Sequence, residues 1–173
     1  MRLVALLPLL AAVALAGCGS SSSSPATPTP QPTVSANTNF RDNTERYSFS
    51  YPANWHFGTA TTAQGIYVLP ITVPLSRAQV QLRVQRTRVS YGSLPEGKKI
   101  RSNGSTLRYH HVSVSGKPAI EIDTNARGGA SQVVTIVNGP RYTYTVSVST
   151  PSPPLESRTL FGYRRIVSTL RVF

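Results

Sequence analysis

Two carboxylates have a spacing that acid–base chemistry could use. Glu121 and Asp123 stand two residues apart in an alternating stretch, and residues i and i+2 of a strand point to the same face. Paired carboxylates of this kind hydrolyse glycosidic bonds in glycosidases. The alternative is a solvated strand face whose acids pair with arginines. We expect the second arrangement and keep a hydrolase using Glu121 and Asp123 as a distant alternative function.

The adjacent histidines do not predict a metal site. On a strand, His110 and His111 would face opposite sides of the sheet, so both cannot bind one ion without distorting the strand. We expect His110 to be a hydrogen-bonded histidine on the apolar face and His111 to face Glu121. No G-x-S-x-G, H-E-x-x-H or glycine-rich phosphate motif occurs. The sequence therefore predicts no catalysis, no cofactor and no metal.

Three aromatic residues could stack on a ligand or pack in the core. They are Trp55, which follows Pro52, and the alternating pair Tyr142 and Tyr144. Large aromatic side chains contribute most often to cores, so we expect core packing for Trp55, and both interpretations stay open for the tyrosine pair.

Positive charge is the remaining functional signal. Beyond Arg2 the chain has 17 basic residues against 6 acidic ones, a formal charge of +11, and 14 of the 17 are arginine. Arginine binds phosphate and carboxylate through a planar fork of donors. The candidate basic patch comprises Arg83, Arg86, Arg88, Arg101 and Arg108. The alternative is that the basic excess serves only solubility or reflects a compositional bias of the host.

The first 17 residues have the pattern of an export signal. Arg2 supplies the positive charge, and Leu3 to Leu15 form an apolar segment too short to span a membrane. The segment ends Leu15-Ala16-Gly17-Cys18, which resembles the lipobox of bacterial lipoproteins. The resemblance implies diacylation of the Cys18 sulfur and cleavage before that residue. The alternative is an ordinary signal peptide with a chance cysteine at its cleavage site.

Two acyl chains are enough for stable membrane anchoring, so we expect the chain at the extracytoplasmic face of a bacterial membrane. That location argues against intracellular nucleic acid as the partner of the basic residues. Residues 18–39, rich in Ser, Pro and Thr, predict an unstructured linker after the lipidated cysteine. Residues 40–173 contain no cysteine and are long enough for one domain, which we expect to be a monomer.

The hydrophobic pattern of residues 40–173 predicts an α+β fold. We expect an antiparallel sheet of six or seven strands with a C-terminal helix packed on it. The strongest alternations are at Tyr47–Tyr51, Val80–Val84 and Tyr142–Val148, while Gly65–Thr72 and Ser131–Val137 predict further strands, the last one central.

The helix is expected from Leu155 or Glu156 to Leu170. Its apolar stripe comprises Leu160, Tyr163, Val167 and Leu170, widened by Phe161 and Ile166. We expect Glu156 in its first turn and Arg164, Arg165 and Arg171 toward its end, complementing the helix dipole. A short last strand, Leu170 to Phe173, is expected to return to the sheet.

Two turns test the strand register. At Ser115-Gly116-Lys117, a two-residue turn at Gly116-Lys117 would set Val112 opposite Glu121, and a three-residue loop would set Val112 opposite Ile120. We expect the second register because it buries one face. At Asn138-Gly139 the dipeptide favours a hairpin, but Pro140 leaves the register open.

The segment Tyr47-Ser48-Phe49-Ser50-Tyr51-Pro52-Ala53-Asn54-Trp55 is similar to the opening strand and Pro-x-x-Trp turn of the Mog1/PsbP-like superfamily. The Gly116–Ala119 turn, the strand Tyr142–Ser149 and the closing segment Phe161–Phe173 extend the resemblance over most of residues 44–173. Thr59–Gln64 and Ser90–Asn103 lack the helical periodicity usual in that family, which indicates a trimmed member. The resemblance implies an accessory role and favours the bacterial lipoproteins of the superfamily.

These observations predict a membrane-anchored lipoprotein that acts as a non-catalytic binding or accessory module for an envelope protein complex. The alternative is a module that binds a polyanion, either anionic lipid or an acidic envelope polymer. A contiguous exposed apolar or aromatic patch would favour the first function, and clustered arginines without such a patch would favour the second.

Overall fold

The structure, a computed structural model, describes residues 37–90, 96–97, 99–102, 104–126, 130–151 and 154–173. The predicted signal peptide, Cys18 and the linker up to residue 36 lie outside these ranges. The first strand begins at Asn37, within the stretch assigned to the linker from sequence. The elements are β1 Asn37–Asp42, β2 Tyr47–Pro52, β3 His56–Phe57, β4 Thr61–Ala63, β5 Ile66–Thr72, β6 Gln79–Gln85, β7 Lys99–Ser102, β8 Ser105–Val114, β9 Lys117–Ala126, β10 Ser131–Asn138, β11 Thr143–Thr150, α1 Ser157–Thr169 and β12 Arg171–Val172.

The strands form two antiparallel sheets. The larger has nine strands in the order β3-β5-β6-β11-β10-β9-β8-β7, with β4 also paired to β5, and the smaller has the order β1-β2-β12. The α+β class, the antiparallel pairing and the central position of β10 are confirmed. The count of six or seven strands is wrong for the described residues. The missed strands are β1, whose first three residues were assigned to the linker, and β3, β4 and β7, which are too short to show alternation.

Both predicted registers of the β8–β9 hairpin are wrong. Val114 pairs with Lys117, so the turn is Ser115-Gly116, Val112 lies opposite Ala119 and His110 lies opposite Glu121. Ser115 has φ 49° and Gly116 has φ 75°. A two-residue turn with positive φ at both positions matches the twist of the flanking strands, and this preference decides the register.

The Asn138-Gly139 hairpin, left open by the sequence, has a four-residue loop. Asn138 pairs with Thr143, and the Gly139 amide donates to the Tyr142 carbonyl over 2.8 Å. Pro140 lies inside the loop, where no ladder hydrogen bond is needed.

Helix α1 packs on one face of the large sheet, beside the small sheet. Its buried side chains include Tyr163, Ile166 and Thr159, and Leu170 at its C-terminal cap is also buried. Phe161 was predicted to widen this stripe, but its side chain is 65% exposed. It lies about 160° around the helix from Tyr163, at 100° per residue, which places it on the solvent side.

The charges expected to complement the helix dipole lie elsewhere. Glu156 occupies the N-cap position without capping the backbone, and its carboxylate instead accepts a hydrogen bond from Arg158. The last turn contains no basic residue, and Arg171 belongs to β12. The predicted closing strand is confirmed in shorter form, with Arg171 paired to Ser48.

Aromatic side chains fill the space between the two sheets. Tyr47 and Phe49 of β2 are buried, and the Tyr47 ring lies 6.0 Å from that of Tyr144 on β11. The Tyr144 hydroxyl donates to the Glu45 carbonyl over 2.9 Å, and burial raises the Tyr144 pKa to about 12. Of the two interpretations left open for Tyr144, core packing is therefore the correct one.

Trp55 is also a core residue, 5% exposed, and it packs directly on the helix at Gly162. A Cβ atom at Gly162 would overlap the indole ring at three of its carbons. Only glycine lets the helix approach the ring this closely.

We expect Gly162→Ala to destabilise the domain, although alanine is ordinarily better than glycine inside a helix by about 1 kcal/mol. Overpacking against the indole should cost about 1–3 kcal/mol, measured as a fall in the free energy of unfolding in denaturant. In a Trp55→Phe background the penalty should shrink, because the smaller ring leaves room. An equal penalty in both backgrounds would contradict the contact.

The two sides of the helix should respond differently to truncation. Ile166→Ala removes a fully buried side chain and should cost about 2–5 kcal/mol. Phe161→Ala removes an exposed ring and should leave the denaturation midpoint nearly unchanged, within about 0.5 kcal/mol. A large loss of stability for Phe161→Ala would mean that the ring is buried in solution.

Candidate functional site

Helix α1 leaves part of the large sheet uncovered over β8 and β9, and a groove lies there. The groove has a volume of about 430 Å³. The sheet contributes Val112, Ser113 and Glu121, and the helix contributes Phe161, Arg164, Arg165, Val167 and Ser168. We call this surface the α1 groove.

The helical side of the groove combines an aromatic ring with two cations. Phe161, Arg164, Arg165 and Ser168 are spaced at i, i+3, i+4 and i+7, so they share one face of the helix. Phe161 is 65% exposed, and Val112 and Val167 add apolar side chains to the lining of the groove. A large ring that is solvated in the free protein gains hydrophobic free energy when a partner covers it.

The floor of the groove rests on a buried hydrogen-bond network. Glu121 is only 7% exposed, and its two oxygens accept from Arg164 (3.3 Å) and from the Thr135 hydroxyl (3.3 Å). Thr135 also bonds the Tyr163 hydroxyl at 2.6 Å. Burial raises the pKa of Tyr163, which keeps its hydroxyl protonated.

The sequence placed Glu121 on a solvated face, and that part of the prediction is wrong. Glu121 lies in the row of β9 that faces the helix, where solvent is largely excluded. Its pairing with an arginine is confirmed. A buried carboxylate requires such partners, because an unpaired charge in the interior is strongly destabilising.

His110 lies next to the groove, between two carboxylates. Its Nδ1 is 3.1 Å from Glu96 Oε1, and its Nε2 is 3.5 Å from Asp123 Oδ2. Glu96 also accepts a hydrogen bond from the His111 amide, and this bond, followed by the His110 contact, lowers the Glu96 pKa. His110 shares its face with Val112, as predicted. The residue opposite Glu121 is His110, however, and not His111.

The five arginines of the predicted patch do not lie together. Arg101 and Arg108 lie on the helix side of β7 and β8, where Arg108 is opposite Asp123. Arg83 lies on the other face of β6, opposite Thr145. Because β6 and β8 are separated by three strands, these groups stand about 19 Å apart across the sheet.

The remaining two arginines of that set interact within the protein. Arg88 donates to the carbonyl of Gly139 over 3.3 Å and to that of Pro140 over 3.4 Å. Arg86 is near Glu45 and partly offsets the rise that burial causes in the Glu45 pKa.

The residues of the α1 groove were missed by the sequence analysis. Phe161 was assigned to the apolar stripe, and Arg164 and Arg165 to the helix end. The available signal was the spacing of Arg158, Arg164, Arg165 and Ser168, which marks a polar helix face interrupted by one aromatic residue.

Within the described residues no group of three or more histidine, cysteine, aspartate or glutamate side chains could hold a metal ion. In the same part of the chain, the structure has no helix with the length and hydropathy needed to cross a membrane.

Comparison with known proteins supports the fold alone. No protein-family model and no curated protein matches the sequence. The chain is similar to the solution structure of cyanobacterial PsbP (CyanoP) from a Synechocystis species, with a TM-score of 0.57 and 9% sequence identity, over 87% of this chain and 100% of that one. A crystal structure from Bacteroides thetaiotaomicron aligns with a TM-score of 0.42 and 12% identity, over 78% of this chain and 48% of that one. The PsbP-like fold expected from the sequence is thus confirmed.

Proposed function

We propose that this protein is a non-catalytic accessory module, held at the extracytoplasmic face of a bacterial membrane by a lipidated Cys18, that binds a protein partner of the cell envelope through the α1 groove. The observation that carries this proposal is Phe161, which is 65% exposed at the rim of a groove that also contains Val112 and Val167. The proposal also rests on the export signal and the lipobox resemblance of residues 1–18.

The composition of the groove suits a protein ligand. Aromatic residues and arginine are enriched at the energetically dominant positions of protein interfaces, and apolar centres ringed by polar groups are typical of them. Phe161 would supply the apolar contact and the arginines the rim. Arg165 Nε is buried and has no hydrogen-bond partner among the described residues. A partner acceptor that draws this side chain outward would satisfy it.

The expected partner segment is therefore apolar with a neighbouring carboxylate. Its apolar side chain would cover Phe161 and enter the groove beside Val112. Its carboxylate would pair with Arg165, since Arg164 is already engaged by Glu121.

The two alternative functions have weaker support. A polyanion module built on the five predicted arginines would need them on one surface, and Arg83 lies on the opposite face of the sheet from Arg101 and Arg108. A hydrolase would need Glu121 free to exchange a proton with substrate, and both of its oxygens are held by Arg164 and Thr135.

Site-specific photocrosslinking in the native membrane tests the groove. A photoreactive phenylalanine analogue at position 161 should capture one discrete protein, because the ring would lie inside the interface. The same analogue at position 83, on the opposite face of the large sheet, is the matched control and should not capture it.

Two further measurements distinguish a protein partner from a polyanionic partner. Arg165→Gln should weaken the capture several-fold, whereas about 0.5 M salt, which shortens the Debye length well below 8 Å, should not abolish it. No crosslink from position 161, or the same crosslinks from both positions, would contradict the proposal.

The anchor is tested separately by Cys18→Ser. The wild type should fractionate with membranes, and the variant should accumulate as an unprocessed or soluble form, because no acyl chains can be attached. A variant that is processed and remains in the membrane fraction would contradict lipidation at Cys18.

A further inference from the structure

A second concave surface lies on the small sheet, on the side away from the aromatic cluster. It has a volume of about 400 Å³. Arg41 of β1 and Arg171 of β12 both lie directly opposite Ser48 of the central strand β2. Cross-strand neighbours share a face, so the two arginine side chains project from the same face as Ser48, one from each neighbouring strand. We call Arg41 and Arg171 the arginine pair. Ser50 and Ser168 lie at the edge of the same surface.

The spacing of the pair suits a single phosphate group. Arg41 and Arg171 are two strand spacings apart, about 10 Å between their backbones. Side chains of this length can converge on one anion between them, and arginine forks match the oxygens of a phosphate group. Ser48, Ser50 and Ser168 line the same surface. The Ser50 hydroxyl donates to Asn39 Oδ1 and the Ser168 hydroxyl to the Arg165 carbonyl, so Ser48 is the serine that can add a donor between the arginines.

The electrostatics of this surface favour an anion. Its described lining contains two arginines and no carboxylate. The nearest acid along β1, Asp42, faces the other side, where it accepts hydrogen bonds from the Thr44 and Glu45 amides and from Tyr67. Neither arginine of the pair forms an ion pair within the described ranges. Their charge is therefore available to a ligand.

One of the two guanidinium groups is already positioned. Arg41 Nε donates to Asn43 Oδ1 over 2.7 Å, and its guanidinium carbon lies 4.6 Å from the centre of the Phe173 ring. These contacts restrict the side chain and leave its terminal nitrogens free to donate. Preorganisation of this kind lowers the entropy lost on binding.

We propose that the arginine pair binds the phosphate of an anionic phospholipid headgroup. Arg41 lies on β1, the first described strand, and 18 residues separate Cys18 from Asn37. If these residues form the linker that the sequence predicts, a coil of that length would have an end-to-end distance of roughly 24 Å and would keep headgroups at a high effective concentration. The choice of a lipid source rests on the proposed anchor, whereas the anion site itself does not.

Vesicle binding by the unanchored domain tests the site. The described residues all belong to one compact unit, and the buried core found among them lies within it, so residues 34–173 can be studied alone. It should sediment with vesicles of equal parts phosphatidylglycerol and phosphatidylcholine, and not with phosphatidylcholine alone. Arg41→Gln with Arg171→Gln should reduce the partition coefficient about thirtyfold, since each basic residue contributes about fivefold, or about 1 kcal/mol.

The matched control is Arg83→Gln with Arg101→Gln, which removes the same charge from the large sheet and should reduce binding far less. Ser48→Glu places a negative charge between the arginines and should abolish binding while both remain present. Thermal unfolding of each variant establishes that it is folded, and Ser48→Glu provides the test if the double variant is not.

Three outcomes would overturn the inference: equal losses for the two double variants, unchanged binding by Ser48→Glu, or no binding to anionic vesicles. Competition by inorganic phosphate at the same phosphate concentration would overturn the headgroup assignment in favour of a soluble phosphate ligand. Phe161→Ala should leave vesicle binding unchanged, so failure of the groove proposal and failure of this one are distinguishable.

Discussion

The contact between Trp55 and Gly162 sets the position of the helix, and both candidate surfaces depend on that position. The indole ring occupies the space that any side chain at Gly162 would need, so the helix lies close to the segment that follows β2. On the same flank, the Thr169 hydroxyl accepts a hydrogen bond from the Ser50 amide over 2.9 Å. The helix is thus held to one side of the large sheet, and the α1 groove lies between its other flank and part of β8 and β9.

The same position of the helix also determines where the C-terminal strand β12 lies. Because α1 ends at Thr169 beside Ser50, the next residues pair with β2, and Arg171 comes to lie opposite Ser48. The arginine pair therefore requires the helix in this position, although neither arginine belongs to the helix. The α1 groove requires it too, since its two walls are the free flank of α1 and the inner face of β8 and β9.

Buried polar groups fix the rotation of the helix about its axis. Arg164, whose side chain is 60% exposed, donates to Glu121 from the groove, and the Tyr163 hydroxyl bonds Thr135 in a region that water barely enters. Where water is excluded, the loss of a hydrogen-bond partner costs more free energy than at the surface. Rotation of the helix about its axis is therefore strongly opposed. With Tyr163 directed into the sheet, Phe161 is necessarily directed toward solvent.

The sequence by itself determined the elements with strong periodicity and much of their burial. The alternation at Tyr47–Tyr51 and Val80–Val84, the apolar run of β10, the core role of Trp55 and the short closing strand all follow from local patterns, and so does the PsbP-like resemblance. Periodicity states which residues share a face, but not which part of that face another element covers. Four features depend on which part of a face another element covers. They are the exposure of Phe161, the separation of Arg83 from Arg101, the burial of Glu121 and the proximity of Arg41 to Arg171. They join residues from distant parts of the chain, so only the tertiary structure decided them.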